Sequence, residues 1–389
     1  MLYFDHNATT FLAPEVAEIF SDALNQFYGN ASSIHHEGQR ARQQLESSRA
    51  AIAKFIGCTA AEIVFTSGGT EANNLALLGL VRNLPGDRKH VVTTTIEHAA
   101  VLEPCRQLER EGVCVSYVDV DADGAVRAAD IVRHVRPDTV LVSLMHANNE
   151  TGAIQPVSEV AALVTERRKT GQPIYLHSDG VQALGKMPVN IAELGVDLYS
   201  ASGHKTFAPK GIGALYVRRG VPLRGLQFGG KHERERRPGT ENVPGAIAFA
   251  RALELCSHEQ SRDLGRLRDH FEAEILRTVQ EVEVNAVDAP RLPNTSNVLF
   301  RGVSGESLVI ALDMAGMAVS SGSACSSGSV EPSHVLLAMR RTEAEARSCV
   351  RFSFGRYNTI EQVRSLLQAV SSSATRLRKS ARKERLLAV

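Results

Sequence analysis

Residues 173–217 read PIYLHSDGVQALGKMPVNIAELGVDLYSASGHKTFAPKGIGALYV. Three apolar runs rich in β-branched and aromatic residues, PIYLHS, VDLYSAS and GALYV, are punctuated by Gly, Asn and Pro, which reads as three strands. Asp179 stands at the end of the first run, and Lys205 lies just past the end of the second. Open α/β sheets bind ligands beyond the carboxyl ends of their strands, so a carboxylate and an amine from neighbouring strands would face one crevice. The third run follows a short Gly-containing turn and is expected to add one antiparallel strand.

The same texture extends toward the N-terminus. EIVFT (62–66), HVVTT (90–94), VCVSYV (113–118) and TVLVSLM (139–145) alternate with helical stretches. This predicts a mostly parallel, seven-stranded sheet covered by helices. A helix over 39–56 carries Ala41, Leu45, Ile52 and Phe55 on one face and stops at Gly57. Another, near 158–170, has Ser158 in the N-cap position and Gly171 after its end. From about 244 to 283 the pattern becomes long, charged and helical, as in a connector leaving a large domain. Residues 295–389 read as a small α+β unit: the strands SNVLF, MAVSS and CVRFSF, two helices and a Ser/Gly-rich loop. The expected fold is therefore α/β, with a large domain at 14–257 and a smaller one made of 1–13 and 258–389.

Composition excludes several classes. The chain has 389 residues, 43% hydrophobic and 22% charged, which is ordinary for a packed globular protein. Its net charge of +1 gives no long-range field to recruit nucleic acid or an acidic membrane. No apolar stretch approaches the roughly 18–20 residues that span a bilayer. The first residues, MLYFDHNATT, lack the basic and apolar segments of a signal peptide, so a cytoplasmic location is expected. Six cysteines are scattered without a CxxC pair or zinc-like spacing, so reduced thiols and no metal are expected. Five of them, Cys58, Cys105, Cys114, Cys256 and Cys349, sit in apolar or helical contexts. Cys325 instead lies in SSGSACSSGS (320–329), among small residues that cannot bury it.

The polar residues after each run carry the chemistry. In EIVFTSGGTEANN, Ser67, Gly68, Gly69 and Thr70 lie between a strand and a helix, where free backbone N–H groups and the helix dipole favour a phosphate. An ordinary turn with Thr70 as N-cap is the other reading. TTTIEHAAV delivers His98, able to stack on a ring and exchange protons, or to cap a helix. VSLMHANNETG delivers Asn148, an amide for a cofactor or substrate carboxylate, or a turn residue. His204 either bonds a phosphate or serves its turn. In CVRFSFGR, Arg351 offers a planar fork for an amino-acid carboxylate, or a structural ion pair. A phosphate cradle, a carboxylate to keep a pyridine nitrogen protonated and a lysine for a Schiff base are the three parts pyridoxal 5'-phosphate (PLP) requires.

In order along the chain, GGTE, HANNETG, SDGVQ, SGHK, RPGTEN, SSGSAC and RFSFGR resemble the cysteine desulfurases, most closely the NifS-like type, from YFDHNATT to RFSFGRYN. The resemblance implies a fold-type I PLP homodimer of the class-V aminotransferase group. It makes Lys205 the Schiff-base lysine, puts Asp179 on the pyridine nitrogen and Gln182 near the ring hydroxyl, and stacks His98 on the ring. Gly69, Thr70, Ser202 and His204 match phosphate-holding positions, and Thr240 matches a residue that reaches the partner subunit's phosphate site. Asn148 and Arg351 would hold the carboxylate of L-cysteine. Cys325 would take its sulfur as a persulfide, leaving L-alanine, and pass it to an acceptor such as an iron–sulfur scaffold. A cationic site containing Arg351 and protonated His98 would favour the Cys325 thiolate. Three departures are small: Gly69 where many members carry another small residue, Pro238 before Gly239, and Ser326 in place of a frequent threonine. An aminotransferase or selenocysteine lyase on the same scaffold, and a phosphate-ligand binding module without turnover, are the competing readings.

Overall fold

The computed structural model describes residues 1–86, 88–256, 258–321 and 331–387. Cys325 and Ser326 lie outside them, as does Ser257, where the expected domain boundary falls. A short strand, β1 (Leu2–Tyr3), opens the chain. Two helices follow, α1 (Pro14–Gln26) and α2 (His36–Ile56). The second starts three residues before the expected 39, because the His35 ring accepts a bond from Gly38 N at 3.2 Å and caps it. It stops where expected: Gly57 has φ +75°, and a Cβ there would lie 2.7 Å from Asn190 Oδ1, so only glycine ends this helix without strain.

The central sheet contains β2 (Ile63–Thr66), β3 (His90–Thr94), β4 (Cys114–Val118), β5 (Thr139–Ser143), β6 (Tyr175–Asp179), β7 (Leu198–Ser202) and β8 (Gly213–Val217). Their spatial order is β2-β8-β7-β6-β5-β3-β4. Only β8 runs antiparallel to its neighbours, β2 and β7; the pairs from β7 to β4 are parallel. Every residue of β2, β3, β5, β7 and β8 is buried, as expected of strands covered on both faces. At the edge, β4 begins with an exposed residue, Cys114, so this cysteine is not the buried apolar residue its context suggested.

Two boundaries differ from expectation. The helix near 158 spans Val157–Lys169 with Pro156 in the N-cap position; Ser158 falls inside its first turn and caps nothing. The stretch after Pro244 is two helices, Val243–Glu254 and His258–Thr278, the first capped by Asn242 accepting from Gly245 N at 3.0 Å.

A second, antiparallel sheet joins β9 (Val282–Val284), β10 (Thr295–Phe300), β12 (Ser320–Ser321) and β13 (Cys349–Ser353) in the order β12-β13-β10-β9, while β1 pairs in parallel with β11 (Met317–Ala318). Phe4 is buried with Phe271, Phe300, Phe352 and Phe354 in a core separate from that of the large sheet. The chain's first residues thus pack with its last third, then run across the ends of the large sheet at Asn7–Thr10. There Thr10 N and Oγ1 both bond His204 O at 2.9 Å.

Candidate active site

Beyond β2 the chain turns into α3 (Gly69–Val81). Gly68 is the N-cap residue, so Thr70 lies in the first turn and does not cap. A Cβ on Gly69 would stand 2.6 Å from Val181 Cγ2. The glycine at this otherwise small-residue position is thus explained by its valine neighbour. Ser67 N is taken by Glu71 Oε2 at 2.6 Å, leaving the first turn of α3 to present its unpaired N–H groups and the positive end of its dipole. Facing this turn, Ser202 Oγ at the end of β7 is buried and has no hydrogen-bond partner. A buried hydroxyl left unpaired at a helix N-terminus fits a phosphate oxygen. His204 completes the edge, its Nδ1 3.1 Å from Thr9 Oγ1; burial, reinforced by Lys205, Lys210 and Lys186, pushes its pKa down to about 4. It serves as a neutral hydrogen-bonding ring rather than a cation.

The other groups converge on the same cavity of about 320 Å³, lined by Gly69, Thr70, His98, Asp179, Gln182, Ser202, His204 and Lys205, together with Ala8, Asn73, Asn149 and Val181. That volume is in the range of small-molecule sites. Asp179 ends β6 and is oriented by two donors: Asn73 Nδ2 to Oδ2 at 2.6 Å and Val181 N to Oδ1 at 3.0 Å. Lys205 follows β7 in a single helical turn and donates through Nζ to Asn7 O and Ala8 O, each at 2.6 Å. His98 caps α4 (Ala99–Arg110), its Nδ1 accepting from Ala100 N at 3.0 Å, which places the proton of the neutral ring on Nε2. Burial lowers the His98 pKa, Asp179 opposes this, and Lys205 and His334 add to it. Burial thus works against the protonated His98 that the sequence reading expected.

Two other expectations change. Asn148 is wholly buried and does not line the cavity: its Nδ2 donates to Ile96 O at 3.1 Å, and its Oδ1 accepts from Glu150 N at 2.8 Å and Thr151 N at 3.0 Å. The amide is spent on its turn, and the next residue, Asn149, takes the place on the wall. Arg351 is 1% exposed and stands behind that wall. Its Nη2 bonds Asp5 Oδ1 at 2.8 Å and its Nη1 bonds Asn149 O at 3.0 Å, while Nε is buried without a partner. Thr240 is exposed and absent from this cavity. Its segment is anchored by Glu233, whose carboxylate receives both Arg49 Nη1 and Nη2 at 2.7 Å.

Residues the sequence reading passed over include Asn7, Asn73, Asn149 and Lys186. Asn73 stands one turn past the Gly pair in GGTEANN, whereas Asn7 and Lys186 show in the sequence only as polar residues in DHNATT and in the otherwise apolar ALGKMPV.

Two buried features near the site give predictions. Glu97, beside His98, is wholly buried; its Oε1 accepts from Met145 N at 2.8 Å and Thr94 Oγ1 at 3.0 Å. Burial pushes its pKa up from 4.5 to about 8, aided by Asp179 and opposed by its two donors. The folded state thus holds this proton more tightly than the unfolded one, so its contribution is present below about 4.5 and lost as pH rises to about 8. Glu150, pushed up to about 7 by burial, acts in the same direction. Glu97→Gln is expected to flatten part of the decline in unfolding temperature across this window; an unchanged slope contradicts it. Second, a Cβ on Gly180 would collide with the ring of Tyr199, whose Oη is 2.8 Å from His146 Nδ1. Gly180→Ala should cost about 1–3 kcal/mol in a denaturant titration through overpacking.

The class-V aminotransferase family model matches residues 2–366. The cysteine desulfurase IscS of Dictyoglomus turgidum is 44% identical over 380 residues, covering 97% of this chain and 95% of that protein. The putative cysteine desulfurase IscS 1 of Bacillus subtilis is 43% identical over 381 residues, 97% and 99% of the two chains. Among solved structures, a NifS-like protein superposes with a TM-score of 0.89 at 36% identity, covering 97% of this chain and 100% of that one. A NifS-like protein from Rickettsia africae gives 0.85 at 29% identity over 96% and 99%. With a family model spanning nearly the whole sequence and relatives this similar from end to end, the chain belongs to the cysteine desulfurases of the class-V aminotransferase family.

Proposed function

We propose that the chain binds PLP in the cavity beyond β6 and β7 and removes sulfur from L-cysteine, giving L-alanine and a persulfide on Cys325. The observation that carries this reading is the meeting of Asp179, Lys205, His98 and the α3 N-terminus around one cavity, with Ser202 Oγ left unpartnered where a phosphate belongs. When bound, PLP supplies an electron sink that weakens the bonds at the substrate's Cα and Cβ. Thr70, Ser202 and His204, with the first turn of α3, hold the phosphate. Asp179, fixed by Asn73 and Val181, gives its negative charge to the ring nitrogen. Lys205 would hold PLP covalently through its amine and carry the Cα proton, and His98, with its proton on Nε2, would stand beside the ring. Asn149, in place of Asn148, meets the substrate carboxylate, backed by the unpartnered Nε of Arg351.

Sulfur transfer then balances as one bond made and one broken. The Cys325 thiolate forms an S–S bond to the substrate sulfur, the Cβ–S bond breaks, and its electron pair ends as a C–H bond of alanine once Cβ is protonated. Four of the other cysteines suit this task poorly. Burial pushes Cys58 and Cys349 up to about 12 and Cys256 up to about 11, and raises Cys105 as well. The active unit in this reading is a homodimer, in which the exposed Thr240 would reach the partner's phosphate site. The acceptor is a protein thiol or an iron–sulfur scaffold, and the compartment is the cytoplasm. Among the described residues, no helix is long and apolar enough to cross a membrane.

The test is anaerobic incubation of PLP-loaded protein with L-cysteine and a thiol. Equal amounts of alanine and sulfide are expected. No alanine from a fully loaded protein would overturn the reading in favour of another amino-acid substrate, as for an aminotransferase.

A further inference from the structure

Lys186 is 6% exposed and has no place in the chemistry above. Its Nζ donates to Asn7 Oδ1 at 2.8 Å and also to Gln182 Oε1. Gln182 in turn donates through Nε2 to Asn7 O at 3.0 Å, the same carbonyl that receives Lys205 Nζ at 2.6 Å. Asn7 is 1% exposed and its side chain is committed: Oδ1 also accepts from Asn294 Nδ2 at 3.0 Å, while Nδ2 donates to Asn149 O at 3.1 Å and Thr295 Oγ1 at 2.9 Å.

An amide can be turned end for end unless its partners forbid it. Here Asn7 O forbids it: a backbone carbonyl can only accept a bond, so the nitrogen of Gln182 must face Asn7 O, and its oxygen is left to accept from Lys186 Nζ. An NH₂ group has two hydrogens, and Asn7 O uses one. The other remains for the cavity that Gln182 lines. The bridge does not depend on charge. Burial, with Lys205 and Arg351 nearby, lowers the Lys186 pKa well below its usual value, and a neutral amine still has two hydrogens for its two oxygen partners.

We propose that Lys186 is a positioning residue that locks Gln182 as a hydrogen-bond donor toward the cavity, so that the site selects a ligand carrying an acceptor oxygen on the ring beside it. This rests on the reading that Gln182 meets the ring oxygen of PLP. Nothing in the geometry asks Lys186 to touch the ligand; it acts through the amide.

Pyridoxine 5'-phosphate and its 3-deoxy analogue test this by equilibrium binding to the apo-dimer. They lack the aldehyde, so no covalent bond to Lys205 enters, and they differ only in the ring oxygen. The wild type is expected to prefer pyridoxine 5'-phosphate by on the order of tenfold, the worth of one hydrogen bond to a polar or charged acceptor. In Lys186→Met that preference falls toward one, with binding of the deoxy analogue little changed. Gln182→Ala does the same, and the double variant loses no more than Gln182→Ala alone. Equal weakening of both ligands in Lys186→Met would mean a general packing role and overturn the proposal, as would a preference left intact. Equal binding of the two ligands by the wild type would instead overturn the reading of Gln182, and the proposal with it. Should Lys186→Met not fold, Gln182→Glu serves: its carboxylate still receives Lys186 but has no N–H for the cavity, so a retained preference contradicts the account.

Discussion

Lys205→Ala is expected to lower alanine formation from L-cysteine by about 10³-fold or more. Lys205 has two tasks in the proposed reaction: it forms the Schiff base, and it moves a proton at the substrate Cα. A positioned proton carrier alone accounts for about 10²–10⁴ in rate, and the loss of covalent attachment adds to it. The amine is fitted for the task by its surroundings. Two backbone carbonyls, Asn7 O and Ala8 O, hold Nζ at the cavity wall at 2.6 Å each, and methyl cannot replace either bond. Because these acceptors are main-chain atoms of the N-terminal crossing, the variant should fold. Its thermal unfolding should stay close to wild type while alanine production collapses. A rate within tenfold of wild type would remove Lys205 from the chemistry.

Asp179→Asn is the second large effect, expected at about 10²–10³ in rate, the size seen when one electrostatic contact to a developing charge is lost. Asparagine keeps the volume and removes the charge that holds a proton on the ring nitrogen. The hydrogen-bond pattern changes as well. Both carboxylate oxygens accept here, from Asn73 Nδ2 and Val181 N. An asparagine has only one acceptor oxygen and must set its NH₂ against one of these donors. Aspartate is therefore specified twice, once by the cofactor it would meet and once by the donors behind it. Asn73→Ala should reproduce part of the loss by freeing Oδ2, with a smaller drop in rate than Asp179→Asn. A rate for Asp179→Asn within a few-fold of wild type would contradict the assignment.

Much of the frame was legible because the strands that point at the site end in, or run directly into, polar residues that the apolar pattern cannot explain. Asp179, His98 and Lys205 stand out from PIYLHS, TTTI and VDLYSAS for this reason, and the turn chemistry marked β8 as the reversed strand. Side-chain direction was less legible. In HANNETG the two asparagines are equally polar, and only the folded turn reveals that Asn148 closes it while Asn149 lines the cavity. Ser158 failed as a cap because the helix already begins one residue earlier, at Val157, with Pro156 in the N-cap position. His98 was found, but the burial that lowers its pKa is invisible in TTTIEHAAV. The contributions of Asn7 and Lys186 depend on contacts between residues 175 and 179 positions apart, which no local pattern encodes.

In the proposed reaction sulfur leaves L-cysteine onto Cys325. The most direct measurement is a single turnover of PLP-loaded protein with one equivalent of isotopically sulfur-labelled L-cysteine under anaerobic, thiol-free conditions, followed by mass spectrometry of the Cys325 peptide and quantification of alanine. One labelled sulfur on Cys325 is expected for each alanine formed, absent in Cys325→Ala. Alanine released with the label found only as free sulfide, or on another cysteine, would contradict it.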